Sequence, residues 1–223
     1  LNEPNDANKD KQIFYYRGGG NGYTNTMFWL RTGIGVMKFV HPDDTNRDEK
    51  EEYIRKKAEP AIRYAEILLI YAEALNELTG NYNIASWDEE TQYTIQRNID
   101  EMKKGIQPIR IRAGIPDYTR SEYEDQDLFR EKLKRERQIE LMGEGHRYYD
   151  IRRWKDAEVE ESLPIYGCNT LMTEKWRDVF HVPVAIPSLP TNFSRKMYFW
   201  PISHSELKRN KMLTQNPGWT YND

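Results

Sequence analysis

The sequence predicts a mainly helical protein of paired helices, with small β hairpins and long ordered loops between them. Three observations predict it. Between residues 60 and 78, apolar side chains recur at helical spacing, with Ala61, Tyr64, Leu68, Tyr71, Leu75 and Leu78 on one face and Ala65, Leu69 and Ala72 beside it. Gly80, Asn81, Tyr82 and Ala85 then follow a GxYxxA pattern, the turn of a tetratricopeptide-like helix pair. Further on, Glu136, Glu140 and Glu144 recur every four residues, a stripe that repels itself on a helix unless cations offset it.

Taken in order, residues 1–12 read as a polar lead-in. Ile13 to Arg17 and Met27 to Leu30 read as two strands joined across Gly18, Gly19, Gly20, Asn21 and Gly22. These glycines are no phosphate loop, because no Lys-Ser/Thr pair and no helix follow them. Thr32 to Val40 suggests one more strand, and residues 41–58 a charged loop leading to Pro60 at a first helical position. After the helix of residues 60–78, Asp88 can cap a second helix running to Lys104 and ended by Gly105. The small Ala positions of the first helix let a neighbour approach closely. Gln107 to Tyr123 reads as a linker carrying Pro108 and Pro116.

A helix capped by Asp127 is predicted to run to Met142, where Gly143 and Gly145 loosen the chain, and a second short helix spans His146 to Trp154. Arg135, Arg137 and Arg147 lie within one turn of the glutamate stripe, and Asp150 sits three residues from both Arg147 and Arg153. Leu133, Leu141 and Ile151 supply apolar contacts. The stretch reads as a helical hairpin with a salt-bridge network at a packing seam. Beyond Trp154, about forty residues show little periodicity, a length usually functional or disordered, and carry Tyr166, Trp176, Phe180 and Phe193 among Pro164, Pro183, Pro187 and Pro190. Tyr198 to Pro201 reads as extended, Ser203 with Glu206 as a capping box for a last helix through Arg209, and Asn216-Pro217-Gly218 as a turn that delivers Trp219 as a packing anchor.

Composition narrows the function. Only 38% of the 223 residues are hydrophobic, yet 13% are aromatic, with 15 Tyr and 6 Trp, so the apolar surface is concentrated in rings. A sugar presents a C–H face that lies flat on a ring, with hydroxyls that need donors and acceptors nearby. Tyr15, Tyr16, Tyr23 and Trp29, interleaved with Arg17, Asn21 and Asn25, have the chemistry for both kinds of contact; the competing reading, which strand alternation favours, is that the rings are hairpin core. A net charge of −3 with mixed signs argues against nucleic acid. The single Cys168 forms no intrachain disulfide and reads as a small buried side chain. No apolar run approaches the ~20 residues of a bilayer span. The chain opens without Met on LNEPNDANKDKQ and carries no signal peptide, so a mature or truncated product is expected. His41, His146, His181 and His204 are dispersed without ligand spacing, so neither a metal nor a cofactor is expected, and His146 reads as a hydrogen-bonded helix-start residue. Glu140 and Glu144 sit side by side on one helix rather than flanking a bond, so they form no glycosidase dyad, and a non-enzyme is predicted.

The motif between Arg135 and Trp154, RERQIELMGEGHRYYDIRRW, resembles the signature of the SusD/RagB family of surface lipoproteins that capture glycans in Bacteroidetes-type bacteria. Arg63 to Glu77 (RYAEILLIYAEALNE), Ile111 to Pro116, the later YFWPISHSEL and TQNPGW agree in order, so the resemblance spans almost the whole chain and matches the C-terminal portion of such a protein. It implies a SusD-like single region, with lead-in and hairpin at 1–58, helical scaffold at 59–154, and long loop, short strand and terminal helix at 155–223. The signature residues are Glu136, Arg137, Glu140, Glu144, His146, Arg147, Asp150, Arg153 and Trp154. It further implies an outer-membrane, cell-surface lipoprotein that holds an oligosaccharide or other nutrient without cofactor and delivers it to a SusC-like TonB-dependent transporter. Membrane attachment would come only through an N-terminal lipid absent from this chain. A helical-repeat adaptor that binds a protein segment and no sugar is the alternative, and an accessory domain of a glycan-degrading enzyme a third reading.

Overall fold

A computed structural model describes residues 14–19, 21–23, 29–41, 44–47, 50–53, 55–57, 60–173, 175–186 and 191–220, without the side chains of 45–47, 50–53, 176 and 177. The lead-in, Ile13, Asn25, Met27, Pro187 and Pro190 lie outside the described residues, as does the Trp176 side chain. The chain divides into two compact units: a helical one, residues 45–150, and a loop-rich one, residues 1–44 with 151–223.

The helical unit opens with the antiparallel pair β1 (Thr45–Arg47) and β2 (Lys50–Tyr53), where the sequence suggested only a charged loop. Helix α1 (Tyr64–Asn76) is shorter than the periodicity implied, because Arg63 is still extended at φ −109°, ψ 148°. Its buried face is Leu69, Ala72 and Leu75, with Asn76. Tyr64 and Tyr71, expected to face inward, are exposed, and the Tyr71 hydroxyl donates to Glu101 at 2.8 Å. The reason is the neighbouring helix. Helix α2 (Ile99–Arg112) crosses so closely that a Cβ on Gly105 would lie 2.5 Å from the Leu68 carbonyl oxygen and 2.8 Å from the Ala72 methyl. Alanine fits that crossing and tyrosine does not.

Two expectations for this region fail together. Asp88 caps no helix. It sits in the turn between β3 (Tyr82–Ala85) and β4 (Gln92–Ile95), an antiparallel hairpin that occupies the place of the expected helix start. The cap of α2 is Asn98, whose side chain accepts the Glu101 N–H at 3.1 Å, with Asp100 and Glu101 in the first turn and Arg110 and Arg112 in the last matching the helix dipole. Gly105 does not end that helix, and only the start of the expected linker, Gln107 to Arg112, is helical, the residues from 113 to 119 being irregular as expected. Pro108 is tolerated inside α2 although it offers no N–H to the ladder. Gly114, at φ 73°, ends the element.

Helix α3 (Arg120–Glu124) carries a Thr119–Glu122 capping box, and α4 (Gln126–Glu140) is capped by Asp125, not Asp127, whose carboxylate accepts from Asp127 N at 3.1 Å and Leu128 N at 3.0 Å. Gly143 and Gly145 adopt φ 78° and 82°, which breaks the chain before α5 (His146–Arg153), as the sequence indicated. One core joins α1 to α4: Leu69, Ala72 and Leu75 pack with Met102, Ile106, Ile109, Tyr123, Phe129, Leu133 and Leu141. Each fully buried leucine there contributes about 2 kcal/mol of transfer free energy.

The loop-rich unit contains short elements: α6 (Ala157–Glu160), β5 (Tyr166–Gly167) paired with β6 (Val184–Ala185), α7 (Trp176–Val179), a 3-10 turn at Arg195–Tyr198 and α8 (His204–Arg209). The described parts of 13–17 and 27–40 form turns, not strands. Instead of a ladder, Thr32 carbonyl accepts from Cys168 N at 2.9 Å, and Gly33 at φ 65° fits where a Cβ would meet Thr170 and Cys168 within 3 Å. Residues expected to be extended at Tyr198 belong to the 3-10 turn, with Phe199 extended after it. Ser203 precedes α8 without the expected side-chain cap, and its carbonyl accepts Glu206 N at 3.0 Å. Ile151, Ala157 and Phe193 form a small core. Trp219 does anchor the C-terminal turn, its indole N–H donating to the carbonyls of Lys196 (3.0 Å) and Phe199 (2.9 Å) beneath the Lys196 ammonium at 4.1 Å.

Candidate functional site

The charged signature forms the seam of the helical unit. The three glutamates of the stripe take guanidinium groups from α2 and from the residue before α1. Glu136 accepts from Arg110 at 2.5 Å and from the Tyr118 hydroxyl at 2.8 Å, while Arg110 stacks 3.9 Å over the Tyr118 ring. Arg63 donates to Glu140 at 2.8 Å and in a fork to both oxygens of Glu144 at 2.7 Å, and Arg112 adds a further bond to Glu140. Of the local cations expected to serve the stripe, Arg135 is exposed and Arg137 turns elsewhere, to Asp150 at 2.7 Å with Glu66 at 3.9 Å. His146 approaches Glu66 at 3.5 Å, and Arg147 is half-buried on α5. Long-range partners are invisible to sequence spacing, which is why Arg63, Arg110 and Arg112 were missed.

These contacts fix protonation. Burial pushes the Glu140 carboxyl up, but bonds from Arg112 and Arg63 outweigh it and hold the group below the usual carboxylate range. The fork to Glu144 keeps Arg63 charged despite its partial burial. Glu122 is held at about 2, first by the Lys132 ammonium and then by Thr119. Burial and Glu136 keep the Tyr118 phenol neutral. With both Glu140 and Glu144 bound to arginine, neither offers a free acid or base. Among the described residues, no cluster of His, Cys, Asp and Glu is arranged to hold a metal ion.

A cleft of about 460 Å³ opens beside this seam, lined by Pro60, Ile62, Arg63, Tyr64, Ala65, Leu68, Pro108, Ile109 and Arg112. Its walls are apolar, and its two guanidiniums are already engaged by Glu140 and Glu144.

The rings singled out in the sequence lie in the loop-rich unit. The loop at 14–22 is held by its own turns: Gly19 N donates to Tyr16 O at 2.9 Å, Asn21 N to Phe14 O at 3.0 Å and Gly22 N to Gly19 O at 3.0 Å. Gly22 is obligatory there, since a Cβ would sit 2.1 Å from the Tyr16 carbonyl oxygen. Tyr16 meets Phe14 edge-on at 5.8 Å and Phe180 at 6.2 Å, Tyr23 meets Trp29 edge-on at 5.3 Å, and the Tyr15 hydroxyl lies against Gly35. Tyr15, Tyr16, Tyr23 and Trp29 are half-buried, and Arg17 and Asn21 are exposed. Phe180, from the long loop, packs on Tyr16, a contact that no local spacing announces, while Tyr23 and Trp29 form a separate pair. Arg153 stacks on Trp154 at 4.6 Å.

Among the described residues no helix is long and apolar enough to cross a membrane. The family model described as SusD family matches residues 3–219. The SusD-like protein P2 of Formosa agariphila is 31% identical over 162 residues, 71% of this chain and 25% of that protein. A SusD-like protein of Bacteroides fragilis, BF3747, superposes with a TM-score of 0.64 at 25% identity over 94% of this chain and 36% of its own. Two structures of the protein BT4246 give TM-scores of 0.73 and 0.72 at 23% and 25% identity over 94% of this chain, and 33% and 32% of theirs. The chain thus spans about a quarter of the curated relative and about a third of the solved chains, and matches a C-terminal portion of such proteins. With the match running almost end to end, the chain belongs to the SusD family, a family of non-catalytic binding proteins.

Proposed function

We propose that this chain is the C-terminal portion of a cell-surface glycan-capture lipoprotein that hands its cargo to a SusC-like TonB-dependent transporter at the outer membrane. The observation that carries the reading is two sets of half-buried rings in the loop-rich unit, Tyr16 with Phe14 and Phe180, and Tyr23 with Trp29. Tyr16, Tyr23 and Trp29 are each packed on one side and open on another, with Arg17 and Asn21 exposed beside them. A half-buried ring is fixed in place before ligand arrives, so a sugar face can stack without first ordering a side chain. Tyr15, Tyr16, Arg17, Asn21, Tyr23 and Trp29 are the ligand contacts in this proposal. The helical unit, sealed by its ion pairs, acts as scaffold.

Calorimetric titration of plant, host and starch-type oligosaccharides into this chain tests it. Binding that weakens on Tyr16→Ala with Trp29→Ala supports the assignment. Binding unaffected by both changes removes these rings from the site.

One observation favours a second reading, a protein-docking adaptor. On the outer side of α1, Tyr64, Ile67 and Ile70 are 76%, 48% and 45% exposed, an apolar face without a partner in the helical unit's core. Binding of the purified transporter, with no response to any sugar, would select that reading.

A further inference from the structure

The β3–β4 arm leaves the helical unit between α1 and α2 and buries none of its side chains. Its strand register pairs Tyr82 with Ile95 and Ile84 with Tyr93, so these four residues share one face, while Asn83 and Thr94 bond across the other at 2.8 Å. Tyr82, Ile84 and Tyr93 are 46%, 45% and 52% exposed, and Trp87 at the tip is 95% exposed. An isolated two-stranded hairpin is marginal in water, and this ring-bearing face adds only its own cross-strand pairs, with no core to cover.

The tip is nonetheless tightly built. Ser86 N donates to Thr91 O at 2.7 Å, Thr91 N to Ser86 Oγ at 3.0 Å and Glu90 N to Asp88 Oδ1 at 3.2 Å. Glu89 holds φ 62°, a conformation that L side chains rarely adopt. Trp87 is therefore displayed on a fixed turn.

We propose that this arm is a second glycan-contact surface, with Trp87, Tyr93 and Tyr82 as stacking platforms for a neutral oligosaccharide chain. The proposal rests on the glycan-binding reading above. Charge selects the class of ligand: residues 80–96 contain Asp88, Glu89 and Glu90 and no Lys or Arg, so a polyanionic glycan or an anionic membrane surface is repelled. Amides and hydroxyls of Asn81, Gln92, Thr91 and Gln96 instead suit uncharged hydroxyls. Area argues against a protein partner. Three rings covered completely, at about 150–250 Å² each, fall short of the ~800 Å² per side that a stable protein interface needs. They match a few pyranose units.

Affinity electrophoresis of the intact chain through gels containing galactomannan, xylan, starch or alginate tests the proposal. At least one neutral polymer retards the wild type, alginate does not, and Trp87→Ala with Tyr93→Ala weakens the retardation by roughly tenfold at unchanged melting temperature. If that variant migrates like wild type while Tyr16→Ala with Trp29→Ala loses retardation, the arm is no glycan surface and the function proposed above stands. If the arm variant keeps its polymer affinity but no longer binds the purified transporter, the arm is a protein contact and the proposal is overturned. Retardation by alginate alone overturns the neutral-ligand assignment, and retardation by no polymer overturns both readings.

Discussion

In residues 45–150, helices of 13, 14 and 15 residues bury one shared core and close it with arginine–glutamate pairs; in the other unit, the helices lying wholly within it run four to six residues, and turns and ring contacts hold the chain. The side chains doing equivalent work differ accordingly. Arg63, Arg110 and Arg137 each satisfy carboxylates that burial would otherwise penalise, so their loss leaves a charge without compensation. Tyr16, Tyr23 and Trp29 are only half covered, so their loss removes contact area and strands no charge. Stability belongs to the first kind of contact, and in the function proposed above the second kind offers a ligand rings already held in place.

The sharpest way to break this contrast is Arg137→Ala. Arg137 and Asp150 are both 5% exposed, and removing one partner of such a pair costs about 3–5 kcal/mol, seen as a large drop in the thermal midpoint by circular dichroism. Replacing both together, Arg137→Met with Asp150→Leu, recovers part of that loss; failure to recover would mean that Arg137 or Asp150 matters through contacts outside this pair. Gly105→Ala comes next. Helix propensity gains about 1 kcal/mol, but the added methyl meets the Leu68 carbonyl oxygen, and the overpacking of about 1–3 kcal/mol outweighs it, leaving a variant with a lower denaturation midpoint.

Acid gives a smaller, graded effect. Glu140 and Glu122 both lie below their ordinary 4.5 in the fold, so their stabilising contribution is present above that value and is lost as pH falls through the folded values, about 2 for Glu122. Glu140→Gln flattens that part of the pH profile of urea midpoints; an unchanged profile would remove Glu140 from the account. Smallest is Tyr16→Ala with Trp29→Ala. The thermal midpoint falls by an amount corresponding to roughly 1 kcal/mol while sugar affinity drops about tenfold, and a collapse of the fold would place those rings with the core.

Much of the helical unit was legible from local chemistry. Gly143 and Gly145 marked the α4–α5 break because only glycine accepts those positive φ values cheaply, and the aliphatic spacing of 60–78 marked α1. On the inward face of α1, Leu69, Ala72 and Leu75 were legible, but the outward turn of Tyr64 and Tyr71 was not. It depends on Gly105, a residue 33 positions from Ala72, which reads equally well as a helix stop. Asp88 misled for a similar reason, since aspartate serves turns and caps alike. Asn98 with Glu101 three residues on was the better signal, and the alternation of Tyr82–Ala85 and Gln92–Ile95 around a polar turn was a readable hairpin. In the loop-rich unit, Tyr16 and Trp29 were identifiable as rings in an unusual setting. Phe180 was not, because a loop carries no period that would bring it there.

The Arg63 fork also sets a schedule. It joins residues 81 positions apart, so at a synthesis rate of ~5–20 residues per second the guanidinium waits roughly 4–16 seconds for its carboxylates to be made. Early in that interval, before α3 and α4 are made, α2 is the first of the later helices able to cover Leu69 and Ala72, and the glycine at 105 lets it approach them closely. The first helix pair thus guards its own apolar stripe, and the ion pairs arrive as a late lock on an assembly already in register.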